Sequence, residues 1–319
     1  MERTVIQHIN DSKETLFSFE LLPPLKGQDF GSIQKSIDPL MEFNPSFINI
    51  TYHQEEVEYE TLANGLMKKN VVRKRPGTVG ISAAIKFRYG VNVVPHLICG
   101  GFTREDTENA LIDLNFLGVN NVLVVRGDPQ PGLKSFVPEA DGNKYAIETV
   151  IQIANLNKGV YLDSNIRNSR STNFCVGVAG YPEKHSESPN MDSDIHFLKK
   201  KIEAGANYIV TQMFFDNNKY FDFVDICRKN GINVPIIPGL KPISTMNQLA
   251  IIPKTFNVEL PAGLVKEVIK CKNNDEVRQL GVEWTIEQSK ELKSAGVPVL
   301  HYYTMGKSDN IRKIALEVF

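Results

Sequence analysis

Eight short apolar runs rich in β-branched and aromatic residues recur along the 319-residue chain, at 16–20, 47–51, 92–97, 121–126, 174–180, 207–213, 234–239 and 298–303. Amphipathic stretches separate them, and this alternation is what parallel strands buried under an outer layer of helices require. Two of the intervening stretches carry readable helix boundaries: 103–117 opens at Thr103 with Asp106 three residues on, and 192–204 opens at Asp192 and closes near Gly205. Eight strand–helix units fit a closed (β/α)8 barrel of the TIM type, an α/β fold, over residues 1–319 as a single domain. Length alone would allow two domains, but barrels of this kind routinely exceed about 200 residues as one unit. An open doubly wound sheet is the competing arrangement, and the G-x-G-x-x-G of its Rossmann form is absent.

Some regions fall outside the repeat. Residues 1–10 read as a helix that plugs the barrel floor. The polar segments 129–142 (DPQPGLKSFVPEAD) and 158–173 (KGVYLDSNIRNSRSTN) read as long loops, since strand–helix alternation resumes directly after each. The fragments after the second and seventh strands are long enough for each to hold an extra helix.

A formal net charge of −1 gives no bias toward polyanions, so nucleic acid and membrane surface are poor partners for this chain. No run of about 18 apolar residues is present, and the start, Met1-Glu-Arg-Thr-Val, lacks a secretory pattern, which points to a cytoplasmic protein. The cysteines Cys99, Cys175, Cys227 and Cys271 form no C-x-x-C pair and lie near no histidine at ligand spacing; they read as buried free thiols, and no metal site is expected.

In a barrel the functional side chains gather at the C-terminal ends of the strands. Strand 1 ends in Glu20, strand 2 in Thr51, strand 3 in His96 and strand 4 in Arg126-Gly127-Asp128. Strand 5 runs into Tyr181 and His185, strand 6 into Gln212 and Asp216, and strand 8 into Tyr303 and Lys307. Each has a plainer reading. Glu20 could serve a structural ion pair, Asp128 could cap a turn, and His96 could be a packed imidazole. Gln212 could satisfy loop backbone, and Tyr181 and His185 could be ordinary loop residues. With no metal cage, no Ser/His/Asp order and no Schiff-base lysine in evidence, organic cofactor chemistry is the better expectation.

Taken together, the segments SFELLPP (18–24), NIT (49–51), VPHLIC (94–99), VRGDP (125–129), YPEKH (181–185), LKKKIEAGANYIVTQMFFD (198–216), IIPGLKPIS (236–244) and HYYTMGK (301–307) resemble the methylenetetrahydrofolate reductases, in the family's order and across nearly the whole chain. The resemblance implies FAD across the C-terminal mouth and reduction of 5,10-methylenetetrahydrofolate to 5-methyltetrahydrofolate, with NADH or NADPH as donor and ping-pong hydride transfer through flavin N5. It makes Glu20 the general acid that opens the folate ring and Asp128 the charge that steadies the iminium cation. Gln212 would hold the folate. FAD contacts would come from Thr51, His96, Arg126, Gly127, Asp128, Tyr145, Ala146, Tyr181, His185, Asp194, Lys200 and Lys201; without the resemblance, LKKK would read as a solvated helix face.

Two departures touch the expected substrate contacts: Met246 stands where bacterial members have Phe, and Lys307 where they have Arg, which loses a bidentate fork. The loops 129–142 and 158–173 exceed those expected of the shorter bacterial enzymes. The regulatory domain of eukaryotic members, which binds S-adenosylmethionine, does not follow the barrel, so feedback by that ligand is not expected. The family's habit implies a homo-oligomer. Two alternative functions stand beside this one: a flavin subunit reduced by a partner protein, as in ferredoxin-linked relatives, and an FAD barrel that oxidises an amino acid such as proline.

Overall fold

The computed structural model describes residues 3–130, 133 and 135–319. Helix α1 (Val5–Asp11) opens with a capping box, in which the Thr4 side chain accepts the Gln7 N–H and the Gln7 side chain accepts the Thr4 N–H. Then follow β1 (Leu16–Leu21), α2 (Phe30–Met41), β2 (Phe47–Ile50), a ribbon of β3 (Glu56–Thr61) and β4 (Met67–Val72), and α3 (Thr78–Tyr89). The alternation continues with β5 (Asn92–Ile98), α4 (Arg104–Phe116), β6 (Asn121–Val125), α5 (Ala146–Leu156), β7 (Cys175–Gly180), α6 (Met191–Glu203), β8 (Tyr208–Thr211) and α7 (Asn217–Lys229). The last part holds β9 (Ile236–Ile237), β10 (Gly239–Leu240), α8 (Gln248–Phe256), α9 (Ala262–Lys270), α10 (Asn274–Ser294), β11 (Val299–Tyr303) and α11 (Asp309–Val318).

Among the described residues the parallel strands are ordered β10-β11-β1-β2-β5-β6-β7-β8-β9. The two ends of this order, β9 and β10, are halves of one interrupted strand. Ile236 and Ile237 pair with Ile209 and Val210, whereas Gly239 and Leu240 pair with His301 and Tyr302. Pro238 lies at the break, and its carbonyl accepts the His301 N–H at 3.1 Å. The ring closes through this proline into a barrel surrounded by helices.

The strands are buried on both faces, as in other parallel sheets. On β1, Phe17, Phe19 and Leu21 enter the cluster between barrel and helices, which leaves Ser18 and Glu20 for the interior. The interior is apolar at the floor, where Val5 of α1 packs with Phe47, Leu123, Tyr208, Ile237 and Val299. Asn121 ties α1 in place: its Oδ1 accepts the Val5 N–H at 2.8 Å and its Nδ2 donates to the Arg3 carbonyl at 3.0 Å.

All eight apolar runs form strands, with the seventh split at Pro238. The stretch opening at Thr103 forms α4 with the expected capping box to Asp106. Helix α6 begins at Met191 and not at 192, because Asn190 is the cap and accepts the Ser193 N–H at 2.8 Å. The fragment after β2 carries a ribbon where an extra helix was expected, and the fragment after β10 carries α8 and α9 ahead of α10. Cys99, Cys175 and Cys227 are buried thiols, but Cys271 is only half-buried, at the C-terminal end of α9.

Candidate active site at the barrel mouth

Above the apolar floor the interior becomes polar, with Ser18, Asn49, His96 and His301 all buried. The Ser18 hydroxyl and His301 Nδ1 lie 2.9 Å apart, and Asn49 Nδ2 donates to His96 Nε2 at 3.3 Å. Asn49 Oδ1 and His301 Nε2 find no partner among the described residues.

Glu20 sits at the top of this polar layer. Its carbonyl accepts the Thr304 hydroxyl at 2.7 Å, which fixes the backbone at the strand end. Its side chain lies in a dry setting, and burial pushes the carboxyl up to about 8. The neighbouring His96 Nε2 is 3.6 Å from Glu20 Oε2. Burial, aided by the charge of His53, holds that imidazole down to about 3. Near neutral pH both groups are therefore uncharged and Glu20 keeps its proton. A carboxyl held protonated at a strand end in this range is suited to donate that proton.

At the end of β6 the chain turns at Gly127 with φ 88°. Asp128 is exposed at the rim, and its backbone carbonyl accepts Gln54 Nε2 at 3.2 Å. Arg126 forms a two-pronged pair with Glu187, with one arm at 2.8 Å, and its guanidinium lies 5.1 Å from the centre of the Phe136 ring. Beyond β7, Tyr181 and His185 meet edge to face at 4.7 Å. Asp194 of α6 accepts the His185 N–H at 2.9 Å and the Ser188 hydroxyl at 3.0 Å.

The two lysines of α6 part company. Lys201 shares a helix face with Asp194 and Leu198 and donates to the Ala179 carbonyl at 3.1 Å. Burial lowers its ammonium to about 8, with the Asp194 charge opposing. Lys200 is exposed, 5.6 Å from the centre of the exposed Phe197 ring, on the solvated face. Tyr145 is the half-exposed N-cap residue of α5, whose first residue, Ala146, packs against the main core.

Thr51 donates to the Leu21 carbonyl at 3.3 Å. Gln212 Oε1 accepts the N–H of the following residue, Met213, at 2.9 Å. Met246 packs on the satellite core with Ile243, Ile252 and Val277, and Lys307 is exposed in the loop after β11. Glu20, Thr51, Arg126, Asp128, Tyr181, His185 and Gln212 thus stand at or near strand ends, His96 lies two residues inside β5, which runs on to Ile98, and Lys200 and Lys307 face solvent.

Two residues of the mouth escaped the sequence reading. Glu187, the partner of Arg126, lies in a loop with no pattern to mark it. Lys241 had a signal: it follows β10 and precedes Pro242, so the strand-end rule applied to the seventh strand finds it. It is only 6% exposed and makes no hydrogen bond or ion pair with any described residue. Among the described residues no group of three or more His, Cys, Asp or Glu side chains could hold a metal ion, and no helix is long and apolar enough to cross a membrane.

The groups at the mouth fit a dinucleotide flavin in chemical type. Arg126 and Lys201 offer cations for phosphate, the Tyr181–His185 pair offers aromatic surface, and Gly127 keeps the β6 end free of a side chain.

The chain matches the family model described as methylenetetrahydrofolate reductase over residues 5–318. It is 30% identical over 293 residues to 5,10-methylenetetrahydrofolate reductase of Escherichia coli, covering 92% of this chain and 86% of that protein. It is also 30% identical over 323 residues to methylenetetrahydrofolate reductase (NADH) 1 of Arabidopsis thaliana, covering 98% of this chain but only 49% of the plant protein. The chain therefore spans about half the length of that relative. Among solved structures, a Clostridium thermocellum protein described as binding two copies of 5-methyl-5,6,7,8-tetrahydrofolic acid shares the fold, with a TM-score of 0.57, 15% identity and 98% of each chain covered. The family match over nearly its whole length shows that the chain belongs to the methylenetetrahydrofolate reductase family.

Proposed function

We propose that this protein reduces 5,10-methylenetetrahydrofolate to 5-methyltetrahydrofolate with electrons from NADH or NADPH, using FAD bound at the barrel mouth. The observation that carries the reading is Glu20, a carboxyl held protonated by burial at the end of β1 in a chain of this family. Closed methylenetetrahydrofolate is a poor electrophile, and protonation of a ring nitrogen lets its carbon–nitrogen bond break to expose an iminium carbon. Glu20 supplies that proton. Asp128, at the rim, is the carboxylate placed to offset the cation that results. Gln212 offers its amide to the folate once it exchanges its bond to the Met213 N–H.

Arg126, Tyr181, His185, Asp194 and Lys201 would hold FAD, which when bound takes hydride from one substrate and delivers it to the other. Lys200 belongs to this set only if its side chain swings from the solvated face. The 5-methyl-5,6,7,8-tetrahydrofolic acid bound by the C. thermocellum protein is the product of the proposed reaction.

The test uses the purified protein alone. Its visible spectrum should be that of a flavin, bleached by NADH or NADPH and restored by methylenetetrahydrofolate, and heat should release free FAD. Initial rates should give the parallel lines of a ping-pong scheme. Release of FMN, or bleaching that requires an added electron-transfer protein, overturns the reading.

A further inference from the structure

Lys241 is a buried cation left over after the proposed reaction has taken its residues. Leu240, just before it, is fully buried in the cluster between barrel and helices. Gly239 lies on the opposite face, where an added Cβ would come within 2.5 Å of the Tyr303 hydroxyl and 2.3 Å of the Thr211 carbonyl. Pro242 follows Lys241 and disfavours a helical turn there, so the strand alternation carries on for one more residue. Lys241 therefore shares the Gly239 side, toward the interior at the mouth. A lysine that is 6% exposed, whose ammonium has no anion or carbonyl partner among the described residues, is held unfavourably in the unliganded protein. Burial lowers its proton affinity, and no carboxylate acts to restore it.

Its neighbours say what enters there. Gln212 follows β8, Lys241 follows β10, Tyr303 ends β11 and Glu20 lies near the end of β1, and these strands are consecutive around the ring. Glu20 is directly opposite Tyr303 in the β1–β11 register, and Leu240 opposite Tyr302 places Lys241 one step on, beside Tyr303. The Tyr303 hydroxyl reaches across to the Thr211 carbonyl at 2.6 Å, which ties this sector together. A ligand that meets both Gln212 and Glu20 has to lie across the strand that carries Lys241.

We propose that Lys241 is a substrate-binding residue that donates from its ammonium to the carbonyl oxygen on the folate's pteridine, and so discriminates folate from nicotinamide at a shared mouth. This rests on the folate-reducing function proposed above. The pteridine carbonyl is conjugated with ring nitrogens and is a strong acceptor, and a buried cation with no other partner gives it a charge-assisted bond. The nicotinamide has no need to reach Glu20, because it delivers hydride alone, and it can sit clear of Lys241. Loss of the contact therefore falls on one substrate only.

The test compares wild type with Lys241→Met, close in length and uncharged, and Lys241→Arg, which keeps the charge. The probe is 5-methyltetrahydrofolate, titrated by its thermal stabilisation of the flavin-loaded protein and by its Kd. The methionine variant should bind it about ten- to a hundredfold more weakly, the scale of a lost hydrogen bond to a charged group. The arginine variant should recover part of that loss. Flavin reduction by NAD(P)H should be unchanged in both. Without ligand, the methionine variant should melt at or above the wild-type temperature, because it relieves an unpaired buried charge. If wild type binds the probe and the methionine variant binds it equally well, or if reduction by NAD(P)H falls as much as folate binding, the assignment of Lys241 is wrong. A lower melting temperature without ligand assigns Lys241 to structure instead. If wild type itself fails to bind the probe, the folate function fails, and Lys241 with it.

Discussion

His96 Nε2 stands 3.6 Å from Glu20 Oε2, too far for a hydrogen bond, in a setting dry enough to keep both groups uncharged near neutral pH. Glu20→Gln keeps the size of the side chain and removes its transferable proton. FAD binding and flavin reduction by NAD(P)H should survive, while reoxidation by methylenetetrahydrofolate should slow about a hundredfold or more. Stopped-flow traces of each half-reaction decide the matter, and equal damage to both would make Glu20 structural.

The same carboxyl sets a pH dependence. Burial raises it from 4.5 to about 8, so the folate half-reaction in wild type should decline as pH rises through about 8, and the residual rate of Glu20→Gln should not share that decline. Stability follows the same sign. A group whose folded value lies above its unfolded value contributes fully below the unfolded one and loses its contribution as pH rises through the folded one. The melting temperature of wild type should thus fall between about pH 5 and about pH 9 more steeply than that of Glu20→Gln. Parallel melting curves across this window would mean that the carboxyl titrates in its ordinary range.

Glu187 engages two arms of the Arg126 guanidinium from a half-exposed loop position, so a phosphate drawn to Arg126 competes with that carboxylate. Glu187→Gln weakens that competitor without emptying its space. Flavin-free protein carrying the change should bind FAD about two- to fivefold more tightly, the scale of a partly exposed charge pair. Fluorescence titration measures this, and weaker binding would show that Glu187 orients Arg126 toward the cofactor.

Gly281 of α10 lies against the segment that carries Lys241, and a Cβ there would come within 1.9 Å of the Ile243 carbonyl oxygen. Gly281→Ala should cost roughly 1–3 kcal/mol, as overpacking against a fixed neighbour does. Gly80 in α3 has open space around the same atom. There the alanine should stabilise by up to about 1 kcal/mol through helix propensity alone. Denaturant melts of the two variants should move in opposite directions.

The strands were legible because a parallel barrel buries both faces of each one and leaves a continuous apolar run in the sequence. Strand ends then located Glu20, His96 and Asp128 before any coordinates. The β3–β4 ribbon was missed because EVEYET and MKKNVV are largely polar, yet Asn64-Gly65 between them is a hairpin signal that could have been used. The LKKK run gave no sign that Lys200 and Lys201 differ, since one step around a helix turns a side chain by about 100° and only the docking of α6 decides which lysine is buried. The Arg126–Glu187 pair joins positions 61 residues apart and follows no local rule.

The break at Pro238 gives the ring one joint that differs from the rest. Two-residue fragments on either side carry the pairing there, and the proline has no N–H to give. Among the ring strands, protection from amide exchange should therefore be lowest across this joint in the free protein, even though the Gly239 N–H donates to Thr211 Oγ1 at 2.9 Å. Gln212 and Lys241 stand on opposite sides of that joint, so a molecule gripped by both would clasp it shut, and occupancy of the mouth should be readable as exchange protection at the seam.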